Sequence, residues 1–90
     1  MRLDKFLKVS RLIKRRTLAK EVCDEGLITV NGRAAKAGTV VKPGDVISLR
    51  LGSRRLTVEV LEVADNVPAK LASSLYSVLS SERIDDNNEF

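Results

Sequence analysis

Histidine is absent from this sequence, cysteine occurs once, and only three aromatic residues (Phe6, Tyr76, Phe90) are spread over its ninety positions. Each shortage excludes something. With Cys23 alone and no histidine, the usual four Cys or His ligands of structural zinc are not available and no internal disulfide can form. The commonest general base is missing as well, and there is no glycine-rich phosphate loop. Adjacent acids such as Asp24-Glu25 fall on different faces of a helix. A catalytic site finds no support, and neither enzymatic activity nor a cofactor is expected. So few aromatics argue against a surface that reads single strands by stacking bases. No run approaches the roughly 20 apolar residues of a membrane span, and charges stand where a signal peptide has its apolar region. A reduced, cytoplasmic protein without a membrane partner is expected, with Cys23 a small buried hydrophobe on a helix.

What the sequence does have is positive charge in one place. Eight of the first twenty residues are Lys or Arg (Arg2, Lys5, Lys8, Arg11, Lys14, Arg15, Arg16, Lys20) against Asp4 alone, so within the formal net charge of +4 the remaining residues are net acidic. Concentrated charge suits a polyanion, because each cation that neutralises a phosphate releases condensed counterions. Ninety residues with 43% hydrophobic content make one small domain plus at most a tail, and a chain of this size buries only roughly 60% of its unfolded surface.

Leu3, Phe6 and Leu7 recur at i, i+3 and i+4, which predicts a short amphipathic helix over residues 2–9 with Phe6 in the core. Asp4 suits the first turn of that helix and is placed to pair with Lys8 at i+4. After an apolar connection at Leu12-Ile13, a second helix is expected with Leu18, Ala19, Val22 and Cys23 facing inward and Gly26 as its left-handed cap. A strand over 27–30 leads into Asn31-Gly32, a type I′ hairpin signal. Lys42-Pro43-Gly44-Asp45 is a second turn. Strands follow over 46–51 and 56–64. Pro68 is expected to open a helix over 69–79, with Leu71, Leu75, Val78 and Leu79 on one side, before a flexible acidic tail. The divisions expected are thus a domain at 1–64, a helical extension at 65–81 and a tail at 82–90.

The second helix begins beside Lys14-Arg15-Arg16-Thr17, placing three cations where backbone N–H groups are unpaired and the helix dipole is positive. Repulsion there destabilises a free helix, and a bound anion such as a phosphate backbone offsets it. A solvated charge run is the plain alternative; the company of Arg2, Lys5 and Arg11 on neighbouring turns favours nucleic acid. Two short helices joined by a turn also imitate half of a DNA-binding helix-turn-helix, although the cations sit at a helix entrance and not along a base-reading face. Asn31 can offer its amide either to its own turn or to RNA, and Lys36 either extends the basic surface or serves solubility.

Taken in order, Arg2-Leu3-Asp4-Lys5-Phe6-Leu7, Arg11, Lys14-Arg15-Arg16-Thr17-Leu18-Ala19, Gly26, Val30-Asn31-Gly32, Lys36 and Pro43-Gly44-Asp45 closely resemble the ribosomal protein S-four type RNA-binding domain family. Within it, Pro68-Ala69-Lys70 and Leu75-Tyr76 also resemble the short ribosome quality control and ribosome-associated heat-shock group. The resemblance implies an α+β fold of two N-terminal helices packed on a small, mostly antiparallel sheet, plus a short C-terminal helix. It implies a ribosome-associated, non-enzymatic factor that binds large-subunit rRNA and peptidyl-tRNA on obstructed large subunits. A partner tailing factor would then extend the stalled chain. A general rRNA-binding or heat-shock ribosome recycling role is the alternative. By position, the resemblance assigns RNA contacts to Arg2, Lys5, Arg11, Lys14, Arg15, Arg16 and Lys20, with Asn31 and Lys36 in addition, and lets Asp4 orient one of the arginines.

Overall fold

The apolar spacing of the first residues is realised as helix α1, Leu3–Val9, whose Leu3, Phe6 and Leu7 are fully buried. A computed structural model describes residues 1–83. Seven residues are too few for a helix to stand alone in water, and α1 is held from outside. The amides of Leu3 and Asp4 donate to the carbonyls of Thr39 and Ala37 at 2.7 and 3.1 Å, while Val41 N–H donates to Met1 O at 2.8 Å. The first turn, which has no intrahelical acceptors, is thereby tied to the loop at 36–41.

Helix α2, Arg16–Asp24, follows a connection in which Ile13 is buried. It starts late enough that its inward stripe is Ala19, Val22 and Cys23, and Leu18 is left 45% exposed, contrary to expectation. Gly26 takes φ +77°, the left-handed position after the helix end.

The sheet contains β1 (Ile28–Val30), β2 (Arg33–Ala34), β3 (Val46–Leu51), β4 (Arg54–Val60) and β5 (Tyr76–Arg83), in spatial order β2-β1-β3-β4-β5 with every pairing antiparallel. Asn31 and Gly32 both have positive φ, as the type I′ turn between β1 and β2 requires. Ile28, Ile47, Leu49, Val58 and Val60 face the helices and close the core. The α+β architecture is therefore the one implied by the resemblance.

The C-terminal helix needs correction. A 3-10 helix covers Ala69–Leu75 only, and Tyr76–Leu79 belong to β5. Leu75 reaches the core and its carbonyl accepts the amides of Leu61 and Glu62. Beyond it the chain satisfies the open edge of β4, which would otherwise leave a row of unpaired backbone groups. A bulge shifts the register so that Thr57 opposes Ser80 and Val58 opposes Val78. β4 also ends at Val60, earlier than the expected strand end at residue 64. Of the expected acidic tail, Glu82 and Arg83 are the end of β5 and residues 84–90 lie outside the described residues.

Candidate nucleic-acid interface

Asp4 organises the basic face. It is 4% exposed, and its carboxylate accepts from Arg2 Nε at 3.2 Å and Nη2 at 3.5 Å and from Arg16 Nη2 at 3.4 Å, with Arg16 Nε in an ion pair at 3.3 Å. It also accepts the Lys5 amide at 2.8 Å, so one carboxylate completes the α1 first turn and joins two arginines that lie fourteen positions apart. The expected ion pair with Lys8 is not formed, because the carboxylate turns toward these inner partners. Burial alone pushes the Asp4 carboxyl up. The hydrogen bonds and charges of Arg2 and Arg16 outweigh it and hold the group below the usual carboxylate range.

Each arginine side chain remains about half exposed. A guanidinium has five N–H donors in a planar fork, and the edge facing Asp4 uses only part of it. Nη1 of both Arg2 and Arg16 has no protein acceptor among the described residues. Arg2 also lies beside the loop that carries Lys36, since a Cβ built on Gly38 falls 3.8 Å from Arg2 Cζ.

Lys14, Arg15 and Lys20 are exposed around the start and middle of α2. The N-cap residue Arg15 makes no side-chain cap and no acid stands in the first turn of α2. The amides of Arg16, Thr17 and Leu18 have no protein acceptor among the described residues. This is an uncapped, positively charged helix entrance, unlike that of α1. Arg11 is exposed with φ +65°, in the left-handed region where a side chain is strained and glycine is not.

The remaining sequence-predicted residues are placed differently. Lys5 Nζ is paired with Asp65 Oδ1 at 3.0 Å, a partner sixty positions away that no local spacing could reveal. Lys36 is exposed, and its amide donates to Thr39 Oγ1 at 2.9 Å. Asn31 is committed to its turn on both sides. Its Oδ1 accepts the Val46 amide at 2.9 Å and its Nδ2 donates to Asp45 Oδ1 at 3.1 Å. Asp45, expected only as part of its turn, is 5% exposed and also accepts the Lys42 amide at 2.9 Å, locking the 42–45 turn to the β1–β2 hairpin.

Cys23 is buried, and burial together with the negative charges of Asp4 and Asp24 pushes its thiol up to about 11. It is therefore a protonated core group at neutral pH. Among the described residues no group of three or more His, Cys, Asp or Glu is placed to hold a metal, and no helix is long and apolar enough to cross a membrane.

Residues 1–47 match the S4 domain family. The chain is 63% identical over 84 residues to the RQC P-site tRNA stabilizing factor of Halalkalibacterium halodurans, covering 93% of this chain and 96% of the relative. It is 55% identical over 84 residues to the protein of the same name from Bacillus subtilis, covering 93% and 98%. Its fold is similar to that of the trimeric Vibrio cholerae Heat Shock Protein 15, with a TM-score of 0.82 and 33% identity over 89% of this chain and 82% of that one.

Proposed function

The chain belongs to the S4 domain family, and from that premise we propose that it is a non-enzymatic RNA-binding factor of ribosome-associated quality control. It binds the P-site peptidyl-tRNA together with large-subunit rRNA on obstructed large subunits, and supports C-terminal tailing of the stalled chain by a partner tailing factor. The name shared by the relatives supports the tRNA and the pathway. The observation that carries an RNA phosphate clamp is the buried Asp4 carboxylate, which holds Arg2 and Arg16 on one side and leaves the rest of each guanidinium to an external anion. Arg11, Lys14, Arg15 and Lys20 enlarge that face, with Lys5 and Lys36 at its margins, while the Asn31 amide is used within its own turn. The uncapped start of α2 supplies backbone donors and a favourable dipole for the same anion.

Gradient fractionation tests the proposal. The protein should sediment with large subunits that carry peptidyl-tRNA. Remaining at the top of the gradient when such particles are enriched rules the proposal out.

Arg11 offers a sharper check on the face itself. Arg11→Gly relieves a left-handed residue, so thermal stability should be retained or rise by up to about 1 kcal/mol. Affinity for structured RNA should nevertheless fall severalfold. Unchanged affinity in a binding titration would remove Arg11 from the interface.

A further inference from the structure

Four arginines stand at the other end of the sheet, outside the face described above. Arg50 on β3 is directly opposite Arg55 on β4, and Arg54 on β4 is directly opposite Arg83 on β5. All four are exposed, and none forms a salt bridge among the described residues. Glu82 is the register partner of Arg55 but makes no ion pair with it. The strand alternation puts Arg54 on the face of Leu56 and Val58, toward the helices, and Arg50 and Arg55 on the opposite face. The β3–β4 turn thus carries cations on both sides. Shallow polar concavities adjoin them, one of about 510 Å³ that includes Arg50 and Arg55, and one of about 380 Å³ formed by Ser53, Arg54 and Arg83.

Like charges directly opposite one another destabilise a sheet. Charge on an edge strand is a common guard against edge-to-edge pairing, which accounts for Arg83 on β5. Arg50 and Arg55 lie on interior strands, where no edge needs guarding. Across the sheet the one acid beside these opposed arginine pairs is Glu82, which shares the larger concavity but forms no ion pair with them, so net positive charge is left over for an external polyanion, and an arginine fork fits phosphate oxygens.

This patch is separate from the Arg2–Asp4–Arg16 face. Arg50 N–H donates to Leu27 O just past the end of α2, whereas Arg16 starts that helix. Nine helical residues span about 13 Å. The exposed acids Glu21, Asp24 and Glu25 lie between the two basic regions. We propose that the β3–β4 turn, through Arg50, Arg54, Arg55 and Arg83, is a second surface for RNA phosphates, able to hold a different RNA segment from the one on the helical face. The choice of RNA as the polyanion rests on the reading of the helical face.

The test uses the full chain and a short RNA hairpin, too small to span the molecule, counted by native mass spectrometry at low salt and titrated over a series of salt concentrations. The unaltered chain should take two hairpins. A chain with Arg50→Gln, Arg54→Gln and Arg55→Gln should take one, with a shallower dependence of affinity on salt. Its Tm should be unchanged or higher, because opposed charges have been removed. Two hairpins bound with an unchanged salt slope would overturn the second surface and leave the helical face intact. Loss of binding together with a fall in Tm would also overturn it, since the arginines would then be structural. Arg16→Gln runs in parallel. If it changes nothing while the triple variant abolishes binding, the RNA reading of the helical face is the one that fails.

Discussion

Asp4→Ala makes the molecule more positive, yet it should bind structured RNA about tenfold more weakly at fixed salt, a difference of about 1.4 kcal/mol. Simple attraction between a basic protein and a polyanion requires the opposite sign, because an acid has been removed from the basic face. Weakening is expected because the Asp4 carboxylate holds both Arg2 and Arg16 by their Nε and Nη2 edges. Without it, two long side chains must be ordered by the RNA itself, at an entropic cost of roughly 0.5–1.5 kcal/mol each. The same substitution removes the acceptor of the Lys5 amide and should lower folding stability by about 1–2 kcal/mol. Asp4→Asn keeps an oxygen for that amide and separates the two effects, with stability largely retained and affinity intermediate. Anisotropy titrations at temperatures where all variants are folded decide the matter. Tighter binding by Asp4→Ala would show that the carboxylate does not position the arginines for RNA.

Asp45→Ala should act almost entirely on the fold, and strongly. The Asp45 carboxylate is buried and receives Asn31 Nδ2, the Lys42 amide and, at 3.4 Å, Lys42 Nζ. Its removal strands two neutral donors and unlinks two turns, for a loss of about 2–3 kcal/mol. In a domain of this size that amounts to a fall in Tm of roughly 10–20 °C. Burial raises the Asp45 carboxyl, but the bonds from Asn31 and Lys42 prevail and hold it low, as those from the arginines do for Asp4. A carboxylate depressed in the folded state adds stability at neutral pH, and that contribution disappears as pH falls through the folded-state value. The unaltered chain should therefore lose stability steeply below the usual carboxylate range, and Asp45→Ala should lose less over the same interval. Thermal melts across an acid pH series read both, and equal pH slopes would contradict the assignment.

Where conformation is set within a few residues, the chain could be read directly. Asn31-Gly32 and Pro43-Gly44 announce their turns through positive φ and a fixed proline torsion, and the strand between Val46 and Leu51 lies where its β-branched and apolar residues put it. The basic residues were legible as a group for the same reason, since charge density is a local property. Legibility failed where a distant segment decides. Leu71, Leu75, Val78 and Leu79 have helical spacing, but the open edge of β4 draws Tyr76 onward into a strand, and the bulge hides its alternation. Leu18 and Ala19 are equally good starts for an apolar stripe, and only packing against α1 and the sheet selects the latter. That Asp4 would serve both Arg2 and Arg16, or that Lys5 would meet Asp65, depends on tertiary placement that neither periodicity nor spacing encodes.

The attachment of α1 to the loop at 36–41 also orders events during synthesis. Helix α1 leaves the exit tunnel before that loop, but its leading amides have no acceptors until Ala37 and Thr39 arrive, and Met1 O waits for Val41. A seven-residue helix does not persist meanwhile. The Arg2–Asp4–Arg16 arrangement is thus encoded ahead of the segment that fixes it and assembled only once the middle of the chain has emerged, so a half-made copy carries loose charge and not an ordered arginine pair.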